Sequence, residues 1–105
     1  MKSIPCALDA GALVAQIERY RAIGRLAADV QHEPGRVVAR FAGDPPSALI
    51  EQALEVERGC CPFFETDYDP VSRRLAISAD DPDRRPGIDA IAEALMESRA
   101  EGRLG

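Results

Sequence analysis

Apolar residues recur along the chain with two periods, and the places where the period changes mark its elements. Leu13, Ile17 and Tyr20, with Val14 beside them, fall on one face at i, i+4, i+7 spacing. That spacing predicts a first helix, capped by Asp9 and stopped near Gly24. Residues 25–33 admit two readings, a helix carried on to about Val30 or a strand. We favour the strand: Leu26, Ala28 and Val30 then alternate on one arm of a hairpin, and Val37, Ala39 and Phe41 on the other. Pro34-Gly35 supplies the turn between them. Strand 36–42 is the clearer half.

A second helix is expected to open at Asp44, with Pro45 and Pro46 in a first turn that needs no N–H from either. Leu49, Ala53, Val56 and Cys60 repeat at helical spacing, and Ile50 and Leu54 widen the stripe. Pro62 disfavours helical geometry at Cys61, so this helix should end between Gly59 and Cys61. A second hairpin follows, with its turn at Asp69-Pro70; Leu75 and Ile77 alternate there with Arg74, Ala76 and Ser78. The last helix is expected from Pro86 to Arg99, on Ile88, Ile91 and Leu95. The order αββαββα predicts an α+β fold, a four-stranded antiparallel sheet covered by helices on one face. At 105 residues the chain fits a single domain, 1–105, with an extended lead-in over 1–8 and a frayed tail over 101–105.

Charge narrows the function classes. The net charge is −5, which argues against a nucleic-acid partner. No apolar run approaches the ~20 residues that span a bilayer, so no membrane partner is expected. The stretch MKSIPCALDAG lacks the apolar core of an export signal, which points to a cytoplasmic setting. Structural disulfides are rare in that setting, and the cysteines number three. A protein partner or a homodimer is left open. Phosphate-binding glycine loops, the EF-hand pattern and the H-E-x-x-H pattern do not occur. His32, the single histidine, reads as an exposed turn residue. The carboxylates of DYDP and DDPDRR read as turn and cap residues.

What remains is Cys60-Cys61, where the second helix stops. Cys commonly packs as a small hydrophobe, and Cys60 continues the apolar stripe. Cys61 cannot share the centre of that stripe, since adjacent helical residues point ~100° apart. A helix C-terminus is the negative end of the macrodipole, and Glu55 and Glu57 add to it, partly offset by Arg58. That setting raises a thiol pKa and weakens the case for a nucleophilic enzyme. It suits a cation, and thiolates select soft ones: copper(I), zinc, and by the same softness mercury, cadmium or arsenite-class species. A structural zinc site is disfavoured by the absence of paired-ligand spacing. Cys6 could supply a third thiolate. The readings kept are a soft-metal site at Cys60, Cys61 and Cys6, an interaction or structural module with core cysteines, and a thiol redox protein.

The chain also resembles a group of small bacterial proteins, largely uncharacterised and loosely linked to heavy-metal or mercury handling. The resemblance lies in Pro5-Cys6-Ala7-Leu8, in Arg40-Phe41, and above all in the Glu-Arg-x-Cys-Cys-Pro-Phe signature from Glu57 to Phe63. It implies Cys60 and Cys61 as a working thiol pair and Cys6 as a candidate third ligand. The chain departs from that group where the last helix begins: DDPDRRPG stands in place of a Gly-rich start.

Overall fold

The structure is a computed structural model that describes residues 10–60 and 64–104. Asp9, the lead-in with Cys6, and Cys61 lie outside the described residues, and Cys60 is described by its backbone alone. The elements follow the expected order: α1 (Ala10–Leu26), β1 (Ala27–Glu33), β2 (Arg36–Phe41), α2 (Ser47–Cys60), β3 (Glu65–Asp69), β4 (Arg74–Ser78), a single 3₁₀ turn (Pro82–Arg84) and α3 (Arg85–Leu104). The four strands form one antiparallel sheet in the order β1-β2-β4-β3, so the two hairpins meet along β2 and β4. The fold is therefore the α+β arrangement that the periodicity predicts.

The alternation fixes the two faces of the sheet. Val37, Ala39 and Phe41 of β2 and Leu75 and Ile77 of β4 are buried in one cluster with Tyr20 and Ile23 of α1, Ile50, Ala53 and Leu54 of α2, and Ile88, Ile91 and Leu95 of α3. The other face carries charge in register across all the strands. One row reads Asp29, Arg40, Arg74, Asp69, and another reads Glu33, Arg36, Ser78, Glu65. Gly35 closes the first hairpin with φ +76°, the left-handed geometry that a Pro-Gly turn requires.

Several local expectations are corrected. The helix does not continue through residues 25–33, but the strand alternation is broken, because a bulge between Ala27 and Asp29 shifts the register. Leu26 therefore ends α1 and is exposed, and Ala28 is exposed too, while Val30 packs against the core. Gly24 does not stop α1. It lies at a crossing: a Cβ there would collide with the Leu95 carbonyl oxygen of α3. Val14 is exposed, and Gln16 takes the buried position on that face.

α2 starts at Ser47 rather than at Asp44. Pro46 disfavours helical geometry at Pro45, so the chain stays extended for one more step. The Pro46 carbonyl then accepts from Leu49 N at 3.2 Å and Ile50 N at 3.3 Å. Asp44, released from capping, accepts from Arg73 Nε at 2.8 Å. α3 runs past Arg99 to Leu104, with no proline after Pro86 to end it. In the turn before it, Asp81 caps the 3₁₀ segment by accepting from Asp83 N at 3.0 Å, as the cap reading of DDPDRR requires.

Candidate functional site at the end of α2

The apolar stripe of α2 is rotated from the expected one. Its buried positions are Ile50, Ala53, Leu54 and Glu57, while Leu49 and Val56 are only half-buried. A glutamate thus occupies the helix's inner face one turn before Cys60. An unpaired carboxylate there would be costly. The sequence of α1 supplies its partners: Gln16 and Tyr20 are four residues apart and so share one face of that helix.

The Tyr20 hydroxyl donates to Glu57 Oε2. Gln16 Nε2 donates to the same oxygen at 3.1 Å and, through its other hydrogen, to the Ala53 carbonyl at 2.9 Å. Gln16 Oε1 in turn accepts from Arg19 Nη1 at 2.8 Å, so a cation stands at the outer end of the chain of hydrogen bonds. Tyr20 is fully buried. Burial pushes its hydroxyl well above the ordinary tyrosine range, and the charge of Glu57 adds to the shift. The result is a satisfied polar network within an otherwise apolar seam between α1 and α2, of the kind that fixes a register.

Position and charge act together. Cys60 is the last residue of α2, one turn beyond Glu57. The negative end of the helix dipole and a buried acidic side chain therefore lie next to it. The carbonyl end of a helix is in general a region of negative potential that suits cations better than anions. Among the described residues, no group of three His, Cys, Asp or Glu side chains could hold a metal ion. The residues that fit a soft ion are the cysteines, and the described donors contribute surrounding charge rather than a closed site. Nothing described brings Cys6 or Cys61 to Cys60, since both lie outside the described residues.

His32 is not a turn residue. It lies in β1 opposite Val37, and its Nε2 is 2.8 Å from Asp89 Oδ1 of α3, so it ties strand to helix. A shallow cavity of about 130 Å³ on the open sheet face is lined by Arg36, Arg74, Asp67 and Asp69, whose charges balance. Sequence reading missed Gln16, Tyr20 as a polar donor, and Glu57 as a buried group. The signal available was positional: Glu57 follows Ile50, Ala53 and Leu54 at helical spacing.

No helix among the described residues is long and apolar enough to cross a membrane. Compared with protein-family models, with curated proteins and with solved structures, the chain shows no match to any of them.

Proposed function

We propose that the protein binds a soft metal or metalloid ion of the mercury, cadmium, copper(I) or arsenite class through Cys60 and Cys61, with Cys6 as third ligand, and that it acts in the cytoplasm as a non-catalytic sensor, buffer or carrier. One observation carries the reading. Cys60 terminates α2 one turn beyond a glutamate that is buried and held by Tyr20 and Gln16. That surrounding opposes a nucleophilic thiolate and stabilises a cation that deprotonates its own ligands. The adjacency of the two cysteines supplies soft donors without a second element.

The test is a titration of the reduced protein with Cd(II) or Hg(II), following the ultraviolet thiolate-to-metal absorption. A stoichiometric band is expected, lost in the Cys60→Ser/Cys61→Ser double variant. Affinity for Cd(II) should rise with pH toward the ordinary thiol range near ~8.5, because binding displaces thiol protons. A missing band, or one that survives in the double variant, rejects the proposal. Thiols that resist labelling until the protein unfolds would instead support the core-cysteine alternative.

A further inference from the structure

Among the described residues, β1 and β3 are the edges of the sheet, and they are finished differently. β1 carries the bulge at Ala27/Asp29, and Arg99 Nε of α3 donates to the outward Ala28 carbonyl at 3.0 Å. Its other end is tied to α3 by His32 and Asp89. A bulge and a covering helix are the usual ways to close an edge. β3 has neither. Its ladder to β4 is regular over all of its residues, and no other described element hydrogen-bonds to its backbone. Alternate N–H and C=O groups of an antiparallel edge strand point outward.

A groove of about 360 Å³ runs beside this edge, between β3 and α2. Half-buried Tyr68 gives it an apolar side, the buried side chains of Ile50 and Leu54 close its floor, and Glu51, Asp67 and Arg58 stand at its rim. Tyr68 is fixed there by an edge-on contact with Phe41, with ring centroids 6.3 Å apart. A strand edge next to an apolar groove is the arrangement that takes up an extended peptide as an added strand.

The pleat dictates what kind of strand fits. Thr66 and Tyr68 point toward the helices, while Glu65, Asp67 and Asp69 point to the open face and are exposed. A second copy of the chain pairing through β3 would set these acids against their own counterparts. In any register that preserves the pleat, like charges lie opposite or diagonal, which destabilises the pair. Asp69 is answered by Arg74 across the ladder, but Glu65 faces Ser78 and Asp67 faces Ala76, so these two acids have no cation directly opposite them on β4 and favour a strand whose open-face residues are cationic. On the helix side, the added strand must present apolar residues to Tyr68 and to the groove floored by Ile50 and Leu54.

We propose that the β3 edge is a docking site for an extended peptide segment of a partner protein in which Lys or Arg alternates with apolar residues. The segment adds as a fifth strand, with its cations beside Glu65 and Asp67 and its apolar side chains over the groove.

The probe is a labelled peptide, acetyl-Lys-Val-Lys-Val-Lys-Val-Lys-amide, measured by anisotropy against the full chain, with amide chemical shifts mapped in parallel. Saturable binding is expected, with shifts in β3 and α2 and none in β1. Methylating alternate backbone nitrogens of the probe should abolish binding. Asp67→Lys, an exposed substitution, should weaken it about tenfold at low salt. Failure of the probe to bind overturns the proposal. So does equal binding by a peptide that collects the same lysines and valines into separate blocks, because only general charge attraction would then be at work. A chain that sediments as a dimer through β3, shown by loss of the dimer in Thr66→Pro, places a second copy on the edge and also overturns it.

Discussion

Glu57 illustrates how one residue's setting depends on others distant in sequence. Its partners Tyr20 and Gln16 precede it by 37 and 41 residues, so its burial cannot be read locally. The substitution Tyr20→Phe keeps the ring and removes one donor to a buried carboxylate, which should cost about 1–3 kcal/mol in denaturant unfolding near neutral pH. The two proteins should then converge in alkali. Folding raises the Tyr20 pKa above the ordinary value of 10.0. The corresponding stability is fully present below that value and is lost as pH rises through the folded pKa. Wild-type stability should therefore fall above pH 10, and its advantage over Tyr20→Phe should shrink there. A difference that stays constant across this range would show that Tyr20 ionises as readily folded as unfolded.

At the scale of elements, what alternation dictates was legible and what contact dictates was not. Val37, Ala39 and Phe41 announced β2, and Leu75 and Ile77 announced β4, because a half-buried strand needs its apolar residues every second position. The boundary of α2 was misread because two consecutive prolines restrict each other as well as the helix. Gly24 looked like a stop signal, yet it is where α1 and α3 touch. That reading makes a paired prediction. Gly24→Ala should destabilise by about 1–3 kcal/mol despite the better helix propensity of alanine, because a Cβ meets backbone that cannot yield. Gly59, in the last turn of α2, has nothing within 4 Å of a built Cβ. Gly59→Ala should stabilise by roughly 0.5–1 kcal/mol. Thermal melts of the two variants should move in opposite directions.

Across the whole molecule, stability is expected to be graded from the centre of the sheet outward. β2 and β4 have a ladder on both sides and the most buried residues, whereas β1 and β3 each have one ladder. Hydrogen exchange should be slowest in β2 and β4, and the outward amides of β3 should exchange fastest among the strands. Slow exchange throughout β3 would mean that its edge is covered in solution. The candidate position of the cysteine pair was legible at this scale as the end of a helix. The acids near it were legible too, but the burial of Glu57 emerged only from the packing of α1 on α2.

The crossing at Gly24 also governs the order of assembly. α1 is the first helix of the sheet-bearing unit and α3 the last, and they meet through backbone contact at Gly24 and Leu95. The bond from Arg99 to Ala28, beside that crossing, spans 71 residues. Closing so long a loop is entropically costly, so these contacts reward folding late. During synthesis the two hairpins can pair and α1 can dock on α2 through Tyr20, Gln16 and Glu57, while the α1 surface around Gly24 stays uncovered until α3 leaves the ribosome. Docking of α3 is thus the expected closing step of folding, and a nascent chain halted before α3 is the form expected to need most protection from aggregation.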